Sequence, residues 1–262
     1  MASTLDQKNH VLSSNQPRPG LVAEQISTGE WLFRWRSYVP LPLLVIFLTA
    51  AWSGGSLGGD AWLPFWIAVG LTLGGIGLGI RIFTVGCAPE GTSGRGTAEM
   101  RATELSTTGV YSLTRHPLYL GNAFLWLGAA AFVGQPSTLA LTALLFWIYY
   151  ERIMIAEESF LLHRFPDTFA RWAAATPAFF PRCRPSWRSP RYRFSLPYGL
   201  GREYSAFTAF VIATSAIHWV RLWSQEEQWR ASGPWWVYLA LGATVFFVLR
   251  PLKRHTRILG RT

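Results

Sequence analysis

The stretch AWLPFWIAVGLTLGGIGLGIRIF, residues 61–83, decides the fold class of this chain. Its length and composition suit a membrane helix, which needs about 20 mostly apolar residues to cross the hydrocarbon core. Its glycines form two G-x-x-x-G spacings, which allow close contacts between helices in lipid: Gly70, Gly74, Gly75 and Gly79. The stretch therefore predicts a membrane-spanning helix with an ordinary small-residue packing face.

Composition extends this prediction to the whole chain of 262 residues, of which 50% are hydrophobic and only 15% are charged. Soluble domains carry about 25% charged residues. Five further apolar stretches follow the same pattern: Tyr38–Trp52 extended by Trp31–Trp35, Leu118–Val133, Leu139–Tyr150, Ser205–Leu222 and Trp235–Leu249. We therefore expect an all-α, polytopic membrane helical bundle with about six transmembrane helices.

Two of these stretches are short and lie close together in the sequence. Only Gly134-Gln135-Pro136-Ser137 separates Leu118–Val133 from Leu139–Tyr150. Gly and Pro in so short a connection favour a tight turn. The pattern predicts a tight helical hairpin whose second helix continues through Glu151 towards Glu158 as it leaves the membrane.

The placement of basic residues predicts the topology. Loops 53–60 and 134–137 contain no Lys or Arg, whereas segments 84–116 and 182–202 and the tail from Arg250 onwards are rich in Arg. Basic loops stay on the cytoplasmic side. We expect an integral protein of a bacterial inner membrane, with both termini and the active site facing the cytoplasm.

The same pattern divides the chain into four parts. We expect a flexible N-terminal tail over 1–30, a membrane core over 31–183, a basic cytoplasmic linker over 184–203, and a transmembrane hairpin with a basic tail over 204–262. The net charge of +10 is explained by topology and anionic headgroups rather than by nucleic acid. Cys87 and Cys183 give no disulfide framework.

The motif Thr108-Gly109-Val110-Tyr111-Ser112-Leu113-Thr114-Arg115-His116-Pro117-Leu118-Tyr119-Leu120-Gly121 is the first candidate for chemistry. Pro117 suits the first turn of a helix. The free N–H groups and dipole of that helix start favour an anionic group, and Arg115 and His116 add donors. The alternative is a helix start that carries an ordinary topological Arg.

A second candidate is the acidic cluster Glu151, Arg152, Glu157 and Glu158 at the end of the predicted hairpin. Its carboxylates can accept hydrogen bonds from amine or hydroxyl groups, and the alternative is a solvated helix end with an internal Glu–Arg pair. A third cluster predicts interfacial packing: His163, Phe165, Phe169, Trp172, Phe179 and Phe180. No metal-ligand spacing is present, so we expect no metal site.

Taken in order, these motifs resemble the isoprenylcysteine carboxyl methyltransferase and phospholipid methyltransferase superfamily. The resemblance covers about residues 100–182. It rests on Thr108–Tyr111, Arg115-His116-Pro117-x-Tyr119-x-Gly121, a helical hairpin, Glu157-Glu158-x-x-Leu161, and then Phe165, Phe169, Trp172 and Phe180-Pro181. It implies S-adenosylmethionine bound in a cytosol-facing pocket and a lipid or lipidated small-molecule substrate that enters from the bilayer.

Position by position, the resemblance implies a set of cofactor residues: Thr103, Glu104, Leu105, Ser106, Tyr111, His116, Pro117, Leu118, Tyr119 and Glu157. His116 and the helix start suit the carboxylate of the cofactor, and Glu157 suits its amine or ribose. Tyr111 and Tyr119 can pack against adenine or the sulfonium.

The chain departs from the prenylcysteine enzymes at Ile153, where those enzymes have a substrate-binding Arg. Arg152 lies one residue earlier, about 100° away around a helix. We expect the catalytic residues to be Arg152 and Glu158. Arg152 would orient an acidic headgroup, or Glu158 would bind an amine headgroup. An oxygen or nitrogen nucleophile would displace the methyl group directly, through alignment and desolvation.

Two other classes of protein fit parts of the pattern. A membrane sterol or steroid reductase has a similar R-H-x-x-Y-x-G segment but uses NADPH. A non-catalytic transport or assembly protein would bind neither cofactor. The Glu157-Glu158 pair and Phe180-Pro181 favour methyl transfer. The sequence leaves open whether an oxygen or a nitrogen is methylated, and carboxyl methylation of an isoprenylcysteine is one of the possibilities.

Overall fold

The computed structural model of this protein describes residues 20–89, 100, 102–182, 187–225, 233–256 and 258–260. Cys183, residues 1–19 of the predicted tail and parts of the predicted basic segments lie outside these ranges. The described residues form eight α-helices and no β-strand: α1 Leu21–Trp35, α2 Pro40–Trp52, α3 Leu63–Gly86, α4 Pro117–Ala131, α5 Pro136–Arg164, α6 Pro166–Ala175, α7 Leu196–Ser224 and α8 Gly233–His255. The all-α membrane bundle predicted from composition is therefore confirmed.

Proline marks where helices α2 to α7 begin, since each has a proline in its first turn. A proline there costs no hydrogen bond, because the first N–H groups of a helix have no partner within it. Pro117 starts α4 directly after His116, as the motif predicted. The predicted hairpin is also present, with residues 132–135 between α4 and α5.

Four helices are long and apolar enough to cross a membrane: α3, α5, α7 and α8. A fifth crossing exists if α1 and α2 form one span, but they are bent by 75°. The predicted extension of Tyr38–Trp52 by Trp31–Trp35 is therefore interrupted, because residues 36–39 form a turn between the two helices. The remaining predicted span is α4, whose 15 residues are too short to be counted alone.

The two loops without Lys or Arg lie together at one end of the bundle. Leu57 N–H donates to the Gly134 carbonyl at 2.8 Å, and the Gln135 amide donates to the carbonyl of Gly55 at 3.1 Å. At the other end, Gly109 N–H donates to the Arg188 carbonyl at 2.8 Å. Charge-poor and Arg-rich segments therefore occupy opposite ends, as the positive-inside rule requires.

Close backbone contacts between α3 and α4 hold the centre of the bundle. A Cβ on Gly77 would lie 2.6 Å from the Gly121 carbonyl oxygen, and one on Gly70 would lie 2.7 Å from the Gly128 carbonyl oxygen. Gly75, by contrast, has open space around its Cβ position. Only part of the predicted glycine spacing is thus used for packing, and Gly77 supplies the contact that sequence spacing did not single out.

Two boundaries differ from the sequence expectation. Helix α1 begins at Leu21, inside the predicted tail 1–30, and α7 begins at Leu196, inside the predicted linker 184–203. Helix α7 packs against α3 as well as against α8. Gly199 permits this approach, because a Cβ there would lie 2.7 Å from the Ile82 carbonyl oxygen. The C-terminal hairpin therefore adjoins the core directly.

Replacing Gly77 with alanine should lower the free energy of unfolding by about 1–3 kcal/mol, the usual cost of overpacking a tight contact. The clash is with backbone, so no side chain can rotate away. Thermal unfolding of purified protein in detergent measures the effect. Gly75→Ala on the same helix is the matched control and should unfold at the wild-type temperature. Equal loss in both variants would contradict the packing described.

Candidate functional site

The start of α4 is held by a short backbone segment from the other end of the predicted core. Arg115 N–H donates to the Pro177 carbonyl at 2.9 Å, and His116 N–H donates to the Ala178 carbonyl at 3.2 Å. The Thr114 hydroxyl also donates to the Ala178 carbonyl, at 2.9 Å. Segments 114–116 and 177–178, some sixty residues apart in sequence, are thus hydrogen-bonded to each other. These bonds fix the backbone from which the His116 side chain projects.

His116 lies between the two glutamates near the end of α5. Its Nδ1 is 3.4 Å from Glu157 Oε2, and its Nε2 is 2.9 Å from Glu158 Oε1. The His116 side chain is only 4% exposed, whereas Glu157 and Glu158 are 31% and 24% exposed. The histidine is therefore a buried contact between α4 and α5, and its carboxylate partners remain accessible to a ligand.

Arg115 adds a second cation beside Glu158. Its Nε is 3.1 Å from Glu158 Oε1, and its Nη1 donates to the Ala173 carbonyl at 3.4 Å. The group thus contains two carboxylates, one guanidinium and one imidazole within a few ångströms. Charges of both signs can bind a zwitterionic ligand, and paired charges lower the cost of keeping ionic groups at the edge of a membrane.

Burial and charge act in opposite directions on His116. Burial lowers the pKa of the imidazole, but its hydrogen bonds to Glu157 and Glu158 and their negative charges raise it more. The pKa of His116 therefore lies above its ordinary value of 6.5. A protonated His116 can attract a carboxylate, which a neutral imidazole does far less well.

Aromatic rings surround this charged group. The His116 ring stacks on Tyr119 with centroids 5.5 Å apart, and Tyr119 packs on Tyr150 at 4.8 Å. The Trp172 indole N–H donates to the Tyr111 carbonyl at 3.0 Å. Burial, then the charge of Glu157, raises the pKa of the Tyr111 hydroxyl, although Arg81 lowers it. Tyr111 is therefore a neutral phenol at physiological pH.

Four of the predicted cofactor residues line a neighbouring cavity. Glu104, Leu105, Ser106 and Tyr111 form part of its wall, opposite the end of α3 at Thr84–Pro89. Thr103 is exposed and lies beside it. Tyr111 belongs to this cavity and also interacts electrostatically with Glu157. It is therefore the link between the two halves of the predicted site.

Some residues at these two places were missed by sequence reasoning. Arg191 Nη1 lies 3.4 Å from Glu104 Oε2, and the Tyr192 hydroxyl donates to Glu104 Oε1 at 3.2 Å. Arg36 interacts electrostatically with Glu157 from the turn between α1 and α2. Arg191 looked like one of many linker arginines, and Arg36 like the edge of an apolar stretch. Neither had a local sequence signal.

The two predicted catalytic residues are placed differently. Glu158 lies in the His116 group, where it contacts Arg115 and His116. Arg152 is half-buried where α5 meets α1, and a Cβ on Gly29 would lie 2.0 Å from its carbonyl oxygen. No contact among the described residues joins the Arg152 side chain to His116. Ile153 is fully buried in an apolar cluster with Phe146 and Tyr150.

The same carboxylates and imidazole are of the types that can bind metal ions. Within the part of the chain that the structure describes, no group of three or more His, Cys, Asp or Glu side chains is arranged to hold a metal ion. The chemistry of the site is instead that of two carboxylates, two cations and stacked aromatic rings. Such a set suits an organic ligand that carries a carboxylate, an amine and hydroxyl groups.

Comparison with known proteins points to the same region. Residues 64–168 match the model of a family described as phospholipid methyltransferase. The chain is 31% identical over 78 residues to a protein-S-isoprenylcysteine O-methyltransferase of Schizosaccharomyces pombe, which covers 29% of this chain and 33% of that protein. No solved structure matches the chain.

Two other relatives have names of a different kind. A nickel-cobalt-cadmium resistance protein NccN of Alcaligenes xylosoxydans xylosoxydans is 36% identical over 151 residues, which is 56% of this chain and 63% of the relative. A cobalt-zinc-cadmium resistance protein CzcN of Cupriavidus metallidurans is 40% identical over 129 residues, which is 48% of this chain and 56% of the relative. The chain thus spans less than two thirds of either.

The family match over residues 64–168 contains the Arg115–Gly121 motif, the hairpin and the Glu157–Glu158 pair. These are most of the features from which the resemblance was predicted, and Phe169, Trp172 and Phe180-Pro181 lie beyond the match. Through this segment, the chain is similar to the phospholipid methyltransferase family and to a protein-S-isoprenylcysteine O-methyltransferase, which supports the superfamily that the sequence motifs resemble.

Proposed function

We propose that this protein is an integral membrane methyltransferase that uses S-adenosylmethionine and methylates a lipid-like acceptor. The observation that carries the proposal is the position of His116, at the start of α4 and between Glu157 and Glu158. Helix α4, helix α5 and the 177–178 segment meet at this residue, since Glu157 and Glu158 contact its side chain and the Ala178 carbonyl accepts from its backbone N–H. The family match supports the reaction class, and the site residues support the choice of cofactor.

The residues fit S-adenosylmethionine in charge and in shape. His116 and Arg115 would hold its carboxylate, and the accessible carboxylate of Glu157 would accept from its amine or ribose hydroxyls. Tyr111 and Tyr119 would pack against the adenine or the sulfonium. Glu104, Leu105 and Ser106 extend the same wall through Tyr111. When bound, this cofactor supplies a methyl group on a positively charged sulfur, which needs no metal.

The lipid-like acceptor is supported by where the site lies. Helix α5, which carries Glu157, is long and apolar enough to cross a membrane, and Trp147 on this helix stacks on exposed Phe180 with centroids 6.0 Å apart. An acceptor from the bilayer would therefore arrive from the side of α5. Arg152 on α5 is the cation we assign to an acidic headgroup, and Glu158 the group for an amine headgroup.

The names of NccN and CzcN describe those proteins and do not change this choice. Metal resistance is a property of the cell, whereas methyl transfer is a biochemical activity of one protein. The two descriptions can therefore both hold for one protein. The described residues offer carboxylates paired with cations rather than a ligand cluster for a metal ion. We therefore propose methyl transfer as the activity of this chain.

Cofactor binding is the first test. S-adenosylhomocysteine should raise the thermal unfolding temperature of the detergent-purified protein, and NADPH should not. His116→Ala and Glu157→Ala should each weaken S-adenosylhomocysteine binding at least about tenfold, since a charge-assisted hydrogen bond contributes about 1.5–3 kcal/mol. Isothermal titration calorimetry measures the affinity.

Two variants control this experiment. His163→Ala removes a histidine of α5 whose ring hydrogen-bonds to the Ser159 carbonyl rather than to Glu157 or Glu158, so binding should stay at the wild-type level. Arg152→Gln should keep S-adenosylhomocysteine affinity within about twofold but raise KM for an acidic lipid acceptor. Stabilisation by NADPH alone would indicate a reductase, and stabilisation by neither compound would indicate a non-catalytic protein.

The pH dependence of binding is a separate prediction. The raised pKa of His116 means that its cationic form is fully present below about pH 6.5 and is lost as pH rises through the raised value. Affinity for S-adenosylhomocysteine should therefore fall with rising pH, by at most about tenfold per pH unit for one proton. In His116→Gln this slope should disappear, whereas His163→Gln should keep it. A wild-type affinity independent of pH would rule out a carboxylate-binding role for His116.

A further inference from the structure

A buried ion pair joins the C-terminal hairpin to the helix before the motif. Arg81 Nε on α3 lies 2.7 Å from Glu203 Oε2 on α7, and the Glu203 side chain is only 6% exposed. Glu203 lies outside the family match, which ends at residue 168. Charged groups inside membrane helices are costly and persist where they have a function. The pair therefore calls for an explanation that general packing does not supply.

Arg81 connects this pair to the start of α4. Its Nη1 donates to the Asn122 side-chain oxygen at 2.5 Å and approaches the Leu118 carbonyl at 3.5 Å. Its aliphatic stem passes over Gly121, where an added Cβ would lie 2.5 Å from the Arg81 side chain. The last glycine of the motif thus provides the space through which Arg81 reaches the first turn of α4.

Asn122 transmits this contact to the aromatic wall of the site. Its amide donates to the Tyr150 hydroxyl at 2.8 Å. The Tyr150 ring packs on Tyr119 at 4.8 Å, and Tyr119 stacks on His116 at 5.5 Å. A continuous series of contacts therefore runs from Glu203 to His116. It passes from Arg81 on α3 to residues of α4 and α5.

We propose that Glu203 is a positioning residue of the cofactor site, acting through Arg81. Its carboxylate directs the guanidinium towards Asn122 and the Leu118 carbonyl, which holds the first turn of α4 and the Tyr119–Tyr150 pair in the geometry that binds the cofactor. The C-terminal hairpin, through α7, thereby contributes to a site whose motif residues lie within the family match over residues 64–168. The proposal rests on the proposed function for its ligand.

The test uses four variants of the full chain. Glu203→Gln removes the charge that directs Arg81 and should weaken S-adenosylhomocysteine binding at least tenfold. Arg81→Leu combined with Glu203→Leu removes both charges and should recover the unfolding temperature lost in Glu203→Leu, while binding stays at least tenfold weaker than wild type. Arg221→Gln removes another buried contact of α7, to the Val133 carbonyl at the opposite end of the bundle, and should leave the affinity unchanged.

Hydrogen exchange gives a readout that needs no cofactor. Amides over residues 116–124 should exchange at least fivefold faster in Glu203→Gln and at the wild-type rate in Arg221→Gln. If the double variant recovers affinity together with stability, or if exchange and affinity in Glu203→Gln stay within twofold of wild type, the positioning role is wrong. If wild type binds no S-adenosylhomocysteine, the proposed function fails, and exchange over 116–124 alone decides whether Glu203 positions this segment.

Discussion

A charged group at the edge of a membrane must be paired, and in this protein that constraint falls on His116. The imidazole is almost fully buried, and Glu157 and Glu158 contact its two ring nitrogens. Because those glutamates are consecutive on α5, the histidine can meet both only if α4 begins where it does. The 177–178 segment, which hydrogen-bonds to Arg115 and His116, is needed for the same reason.

The bundle is built so that this junction is rigid. Glycine contacts between α3 and α4 bring their backbones together, and the same face of α3 carries Arg81 past Gly121. Polar groups along this line are hydrogen-bonded to one another rather than to lipid. In a membrane, where an unpaired polar group costs several kcal/mol, such a series of contacts has few alternative arrangements. The site thus gains its precision from helix packing.

Much of this arrangement could be predicted from the sequence. The helical hairpin and the helix start at Pro117 follow from local patterns of proline, apolar residues and charge, and the family resemblance implied the grouping of His116 with Glu157. Arg81, Arg36 and Arg191 could not be found that way, because each acts on a residue far along the chain and none lies in a distinctive spacing. The bend between α1 and α2 was missed for a related reason. Apolar composition indicates that a segment enters the membrane but not whether it does so in a straight line.

In the proposed function, the methyl acceptor is the part that the resemblance to the prenylcysteine enzymes does not assign. Ile153 occupies a fully buried position, so the prenylcysteine enzymes' Arg has no counterpart there. The residues proposed to hold the cofactor, His116 and Glu157 among them, do not depend on the difference at Ile153. A single fold can therefore keep the methyl donor and change the acceptor, as is general for functional sites placed on a common scaffold.

The central claim is that the His116 junction supports methyl transfer to a lipid, and a radiolabelled-methyl assay tests it most directly. Purified protein is mixed with S-adenosylmethionine labelled in its methyl group and with extracted bacterial membrane lipids, and label in the organic phase is measured. The account predicts label in lipid with wild type and loss of at least about tenfold in His116→Ala and Glu157→Ala. Folded wild-type protein that transfers no label, or full transfer by both variants, would contradict it.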